Sequence, residues 1–547
     1  MTTTVDTTNH TAVLDDAHLG DIQGALGTIR LDDHGARRGL SAKVKTLLAI
    51  AGPGLIVMVG DNDAGAFATY GQAGQDYGTH LLWTLLLLVP VLYVNQEMVL
   101  RLGAVTGVGH ARLILERFGR FWGAFSVIDL FILNALTLVT EFIGITLAAG
   151  YLGLPKVLSV LLAAAIIVAS AFTGSFRRFE RIAMALCAGS LLLIPISFMV
   201  HPAASQLAHD LVVPGLPGGS GQLATVMLLI IGIVGTTVAP WQLFFQQSYV
   251  IDKRITPRFM RYEKADLVLG IVVVIVGATA LMGACAAAFA HTTSAGAFTD
   301  TAGVAHGIAA HAGRVAGVLF AIALLDASII GAFAVSLSTA YAIGDVFGIK
   351  HSLHRGVKGA KGFYAVYAAL VALAATIVLI PGSPLGLLTE GVQTLAGVLL
   401  PSASVFLLLL CNDRQVLGPW VNGARTNAFT AAVVGVLVTL SVILTASVLF
   451  PDITANAILD IMAGCGTAGL LAAGYSLTRR RAVAAAAEPV GPIDRTGRDS
   501  WRMPPLETLT RPAMATGRKI GMGALRAYLA VAMVLVVIKI VEVALGS

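Results

Sequence analysis

The sequence predicts an all-α integral membrane protein whose first ten spans form two inverted five-span repeats (5+5), with extra helices behind them. Three observations predict it. There are thirteen apolar stretches long enough to cross a bilayer, basic residues gather in every second connection, and two helix interruptions lie five spans apart. Of the 547 residues, 56% are hydrophobic and 12% charged, where soluble domains carry roughly 25% charged residues. Mean hydropathy is +0.83. The net charge of +6 does not point to nucleic acid, because the basic residues fall between apolar runs.

Taken in order, residues 1–42 are polar, lack the apolar core of a signal peptide, and read as a disordered cytoplasmic tail. The first repeat, 43–201, holds apolar stretches at 46–75, 80–104, 121–151, 156–174 and 180–201. The second, 202–412, holds 222–250, 264–290, 314–345, 362–381 and 386–411. Residues 413–478 add spans at 427–450 and 455–477. An Ala-, Pro- and Arg-rich stretch at 479–524 reads as a cytoplasmic linker, and 525–547 as a thirteenth span, its apolar core at 525–545. A membrane helix needs about 20 apolar residues, which sets the count.

Charge tests that count. Arg112, Arg117 and Arg120 follow span 2, and Arg177, Arg178 and Arg181 follow span 4. Lys253, Arg254, Arg258 and Arg261 follow span 6; Lys350, Arg355, Lys358 and Lys361 follow span 8. Arg414 and Arg425 follow span 10, and Arg479, Arg480 and Arg481 follow span 12. Odd-numbered connections hold little beyond Lys156 and Arg314. Basic loops stay inside, so the expectation is a multi-pass protein of the plasma (cell inner) membrane with its N-terminus in the cytoplasm.

Span 1 has Pro53 near its start and GDNDAGA, residues 60–66, near its middle. Span 6 carries IGIVGTTVAPWQLFFQQ, with Thr236, Thr237 and Pro240 near its middle. Proline removes a backbone donor and glycine weakens a helix. Interruptions at matching places in two halves mark an inverted-repeat transporter, whose unwound carbonyls and helix ends meet the substrate near the midplane. A central Asp costs about 2.5–3.5 kcal/mol on insertion scales, so an intramembrane acid usually lines an interior path. Asp63 lies in the first break, and Glu141 in span 3 shares a face with Thr137 and Asn134. Asp326, with Ser328 nearby, lies in span 8, and Gln393 lies in span 10 one turn past Glu390. Central bases are almost absent, so these acids suit a cationic ligand. Asp63 reads as its principal holder or, alternatively, as a cap on the half-helix. Glu141 reads as a second acid or as an internal hydrogen-bond partner of Asn134 or of backbone. The outer His291, Asp300, His306 and His311 read as a flexible solvated loop, because their spacing fixes no ligand geometry. Cys187, Cys285, Cys411 and Cys465 lack CxxC spacing and read as small apolar residues. No HExxH or catalytic dyad marks an enzyme.

AGPGLIVMVGDNDAGAFATYGQAGQDYGTHLLWTLLLL and the following NQEMVLRLGAVTGVG resemble the first two helices of the natural resistance-associated macrophage protein (NRAMP) metal transporters. EFIGITLAAGYLGLP, GTTVAPWQLFFQQ and Gln393 fall where that family has related motifs. The resemblance covers roughly residues 45–412. It implies an amino-acid-transporter-like (LeuT-type) fold with discontinuous helices 1 and 6 and a divalent-metal substrate in a lipid bilayer, with no cofactor and no obligate protein partner.

The departures are specific. Where the family has Asp-Pro-Gly-Asn, this chain has Asp63, Ala64, Gly65 and Ala66; where it has Met-Pro-His, this chain has Ala239, Pro240 and Trp241. Leu138 stands where the family has an acid one turn before Glu141, and span 9 lacks the bases of the family's proton route. Soft thioethers favour transition metals and oxygen favours hard cations, while Mg²⁺ sheds water reluctantly. The pattern is similar to the NRAMP-related magnesium transporters. That likeness implies uptake of Mg²⁺, and of Mn²⁺, held partly hydrated and without proton coupling. Asp63 is then the principal ligand and Glu141 a mostly water-mediated second acid. Gln393 and Thr236 line the site and Gly60 offers a carbonyl. Ala66, Ala239 and Trp241 mark the altered positions, Trp241 filling the volume of the missing histidine. Asp326 and Asp61 are outlying candidates, Asp61 in a vestibule or as a cap. A proton-coupled Mn²⁺/Fe²⁺ symporter, an organic-solute transporter and a cation channel stay open as alternatives.

Overall fold

A computed structural model describes residues 16–217, 223–381, 385–450, 453–486, 495–510, 512, 521–528, 530, 531 and 534. Chain order begins with the strands β1 (Ile22–Gly24) and β2 (Gly27–Ile29). Next come α1 (Leu40–Ile50), α2 (Pro53–Val59), α3 (Ala64–Tyr77), α4 (Leu82–Thr106), α5 (His110–Phe118) and α6 (Arg120–Tyr151). Then follow α7 (Lys156–Ala171), α8 (Phe176–Gly189), α9 (Leu193–Val200), α10 (Ala204–Val212), α11 (Leu223–Thr237) and α12 (Pro240–Asp252). The rest are α13 (Met260–Phe289), α14 (Thr301–Ala312), α15 (Arg314–Phe347), α16 (Lys361–Leu379), α17 (Leu385–Cys411), α18 (Arg414–Leu417), α19 (Ala424–Leu449) and α20 (Ala455–Ala486).

Among the described residues ten helical segments are long and apolar enough to cross a membrane alone, with α8 and α9 making one of them and α11 and α12 another. The shorter α7 and the broken pair α2/α3 complete the first twelve expected crossings. The interruptions fall at 60–63, over Gly60, Asp61, Asn62 and Asp63, and at 238–239, immediately before Pro240. The expected thirteenth span lies largely outside the described residues.

The entry to the first crossing differs from expectation. The apolar run is one stretch in sequence, yet α1 and α2 meet at 54°. Ion pairing and capping fix the bend. The Lys253 ammonium donates to the Ile50 and Ala51 carbonyls (2.6 and 2.8 Å), satisfying the C-terminal end of α1. The Asp266 carboxylate accepts from the Gly52, Gly54 and Leu55 amides (3.1, 2.7 and 3.3 Å), capping α2 from another helix. Lys253 also pairs with Glu180 at 2.7 Å, both side chains fully buried. Gly54 and Gly270 let α2 and α13 pack backbone to backbone, since a Cβ on Gly270 would lie 2.7 Å from the Gly54 carbonyl.

Residues 16–42 are not a loose tail, which corrects the expectation; residues 1–15 lie outside the described part. A two-stranded hairpin is marginal alone, but this one is held by the basic connections. Arg177 donates to the Gly24 carbonyl (3.0 Å) and Arg181 to that of Ala25 (3.1 Å), while the Ala25 amide donates to Glu180 (2.5 Å). Arg254 donates through Nε and Nη2 to the Ala17 carbonyl (3.0 and 2.7 Å) and through Nη1 to that of Asp21 (3.0 Å). The 479–524 stretch is also partly ordered. Its start continues α20 to Ala486, and residues 495–510 dock beside α4, with Arg502 donating to the Ala104 carbonyl (2.6 Å).

On the opposite face the expected flexible loop is largely helix α14. Asp300 caps it through the Gly303 amide (2.8 Å), and His306 packs edge-on against Tyr151. Cys187, Cys285 and Cys411 are buried free thiols, and Cys465 is partly exposed.

Candidate metal site

Asp63 is the N-cap of α3, its Oδ1 accepting from the Ala66 amide at 2.9 Å. From α6, Glu141 reaches the same helix end and accepts from the Ala64 amide through Oε2 at 3.2 Å. Two orphan donors of one half-helix are thus met by two acids, each favoured by the positive end of the helix dipole. The carboxyls of Asp63 and Glu141 are themselves within hydrogen-bonding reach. Two carboxylates so close repel unless a proton or a cation lies between them. Glu141 Oε1 has no partner among the described residues. Asp63 thus caps the helix, as one of its two interpretations expects, and also faces the second acid. The alternative for Glu141 holds in its backbone form, through the Ala64 amide, and not through Asn134, whose amide is 2.8 Å from Thr339 Oγ1.

Glycines bring the neighbours in. A Cβ on Gly331 of α15 would lie 2.8 Å from the Glu141 carboxyl and 2.9 Å from the Asp63 Cβ. One on Gly65 would meet the Gln393 amide nitrogen at 1.7 Å and Asp63 Oδ1 at 3.2 Å. Gln393 therefore lies over the first turn of α3, its amide nitrogen without a partner among the described residues. Gly235 approaches the Gln393 carbonyl and the Gly397 backbone, which draws α11 against α17. Thr236, next in sequence, is buried and its hydroxyl has no partner among the described residues. Ala66 is fully buried in the first turn of α3, and Ala239 is the buried N-cap of α12.

Gly60 ends α2 against Trp241 of α12, whose ring lies 3.6 Å from where a Gly60 Cβ would be. Trp241 is buried and packs edge-on to Phe245, and its carbonyl accepts from Ser338 (2.9 Å). Asp61 is fully buried rather than in a vestibule, which corrects that expectation. Gln242 donates to Asp61 Oδ1 and accepts from Gln96 (2.9 Å), tying the first break to α12 and α4. Asp326 does not join the site. It lies against Gly189 of α8, and at roughly 100° per residue it is about 140° round α15 from Gly331.

Sequence reading missed Gly331, Gly65 and Gly235, whose signal is small residues where helices must approach closely. It also missed the Tyr70–Thr237 hydroxyl contact (2.8 Å) across the two breaks, and Asp129 of α6. No lysine or arginine accompanies Asp61, Asp63 or Glu141 among the described residues; their polar neighbours include one another, Gln242, Gln393 and backbone amides. Nor do any three His, Cys, Asp or Glu side chains converge to hold a bare ion among the described residues. The arrangement offers two acids, an amide and a hydroxyl, a set suited to hydrogen-bonding the water around a cation.

Comparison with known proteins bears on the family and the fold. A family model described as natural resistance-associated macrophage protein-like matches residues 54–447. The divalent metal cation transporter MntH of Burkholderia ambifaria is 30% identical over 324 residues, covering 56% of this chain and 69% of that protein. MntH of Ralstonia nicotianae is 30% identical over 411 residues, 70% of this chain and 87% of its own length. In fold, the chain is similar to the crystal structure of the Eremococcus coleocola manganese transporter, with TM-score 0.61, 20% identity, and coverage of 81% of this chain and 97% of that one.

Proposed function

From the premise that this chain belongs to the natural resistance-associated macrophage protein (Nramp) family of metal transporters, we propose that it takes up divalent cations, chiefly Mg²⁺ and also Mn²⁺, as partly hydrated ions and without moving protons. Transport of divalent metal cations follows from the family. The choice of ion rests on the residues. The single observation that carries it is the meeting of Asp63 and Glu141 at the α3 end, with an unpartnered oxygen and no base beside them among the described residues. Mg²⁺ keeps several waters and binds through one or two carboxylates, which is what this donor set provides. Ala66 and Ala239 supply no inner-sphere amide or thioether, and a site without soft donors loses its preference for transition metals. Gln393, Thr236 and the Gly60 carbonyl are assigned to the water shell, and Asp61 to holding α12 against the first break.

Absence of proton movement is supported by Trp241 and Leu138, which carry no proton at the two altered positions. One observation favours the rival proton-coupled Mn²⁺ reading: the close approach of Asp63 and Glu141, which a shared proton can bridge. The N-terminal segment is assigned to the cytoplasm and the chain to the cell's inner membrane, a reading supported by basic residues in every second connection. The test is uptake of Mg²⁺ and Mn²⁺ into proteoliposomes by the wild-type chain and by Asp63→Ala. Loss of both fluxes in the variant is expected, and near-normal flux removes Asp63 from the site.

A further inference from the structure

We propose that Asp129 is a second station for the transported divalent cation, between the Asp63–Glu141 site and the face of the protein that carries the N-terminal hairpin. The inference rests on the functional reading above. Asp129 lies on the same unbroken helix as Glu141, twelve residues nearer its start. At 1.5 Å per residue that is about 18 Å away, too far for one ion to touch both. Its side chain is 8% exposed, so it is not a surface carboxylate. It lines a pocket between α6, α12 and α17, with Ser126, Ser402, Pro240, Phe244 and Phe406. No lysine, arginine or histidine is among the pocket's lining residues. Asp129 Oδ1 has no hydrogen-bond partner among the described residues.

A buried intramembrane acid without a base is costly and is retained beside an ion or proton path. The wall opposite Asp129 begins at Pro240, the first residue of α12 after the break. Ala239 and Trp241, at the altered positions of the main site, flank that proline. The pocket's lip is thus the start of the same half-helix that lines the main site. As drawn, the pocket has room for about one water, so a hydrated ion enters it only when α12 swings away from α6. Ser126 and Ser402 point their hydrogens at the Gly123 and Leu399 carbonyls (3.0 and 2.9 Å), which leaves hydroxyl lone pairs for a cation or its waters. The sequence of events is then release from Asp63 and Glu141, capture by Asp129 as α12 moves, and escape to the N-terminal face.

Asp129→Asn keeps the shape and removes the charge, and Asp129→Glu keeps the charge. In proteoliposomes, Asp129→Asn is expected to lower the maximal rate of Mg²⁺ and Mn²⁺ uptake about tenfold, equivalent to 1.4 kcal/mol. Its calorimetric Mg²⁺ affinity and melting temperature stay at wild-type values, and Asp129→Glu recovers most of the rate. Wild-type uptake by Asp129→Asn, beside a dead Asp63→Ala, overturns this proposal and leaves the main site standing. Loss of melting temperature or of Mg²⁺ affinity together with the rate assigns Asp129 a structural role and overturns it too. So does a variant that moves metal normally but changes an internal pH signal. If the wild-type chain moves neither metal, both readings fall together.

Discussion

Gly331→Ala is the sharpest probe of the carboxyl pair. The added Cβ would sit 2.8 Å from the Glu141 carboxyl and 2.9 Å from the Asp63 Cβ. Carbon atoms prefer roughly 3.5–4.0 Å, so one or both acids must shift by most of an ångström. Neither has room to do so freely, since Glu141 holds the Ala64 amide and Asp63 the Ala66 amide. Overpacking of this kind costs about 1–3 kcal/mol. If that strain is relieved by displacing the acids, metal affinity falls roughly 5- to 150-fold, at 1.4 kcal/mol per factor of ten. Calorimetric titration of Mg²⁺ and Mn²⁺ into purified protein reads the affinity, and a melting curve reads the fold. Gly435→Ala on α19, where a Cβ meets open space, is the control. A Gly331→Ala chain that binds both metals as the wild type does refutes the placement of the ion at these two acids.

Other outcomes follow from the same geometry. Asn at Ala66 together with Met at Ala239 restores soft and amide donors, so the Mn²⁺-to-Mg²⁺ flux ratio should rise about tenfold, a 1.4 kcal/mol change in selectivity; competition uptake measures it, and an unchanged ratio counts against the hard-donor account. Glu180→Gln removes the carboxylate 2.7 Å from the buried Lys253 ammonium and leaves it the Ile50 and Ala51 carbonyls with Asp266 and Glu263 farther off, so stability should fall by about 3–5 kcal/mol in denaturant titrations; a wild-type curve contradicts the role given to the α1–α2 bend. Outside the crossings, burial works against protonating His351, but the Asp345 carboxylate 3.1 Å away and the Ile349 carbonyl outweigh it and hold its pKa above the ordinary imidazole value. A raised folded-state pKa stabilises most below the unfolded value of about 6.5 and loses that contribution as pH climbs through the raised value. Melting temperature should therefore drop over that upward window, and His351→Asn should flatten the drop.

The crossings and the two breaks were legible because they depend on local chemistry. A bilayer demands long apolar runs, and GDNDAGA and TTVAPW cannot continue a helix through it. The acid pair was half legible. Asp63 announced itself as a carboxylate in a break, but Gly331 and Gly65, which decide how near Glu141 and Gln393 come, are ordinary glycines until the helices are packed. Asp326 was misread because burial depth does not say which face of α15 a side chain takes. Asp129 escaped notice near the start of its span, where an acid passes for an interfacial one. The bend at 51–52 was invisible for a different reason: the apolar run is continuous there, and Lys253 and Asp266, more than 200 positions on, impose the turn. The N-terminal hairpin likewise owes its order to Arg177, Arg181 and Arg254 rather than to its own polar sequence.

The most direct test encloses a Mg²⁺ indicator and a pH-sensitive dye in the same proteoliposomes and follows both as external Mg²⁺ or Mn²⁺ is added. Saturable entry of both metals with no internal acidification, abolished in Asp63→Ala, is the result this account predicts. Acidification that tracks metal entry, or flux that survives the loss of Asp63, contradicts it.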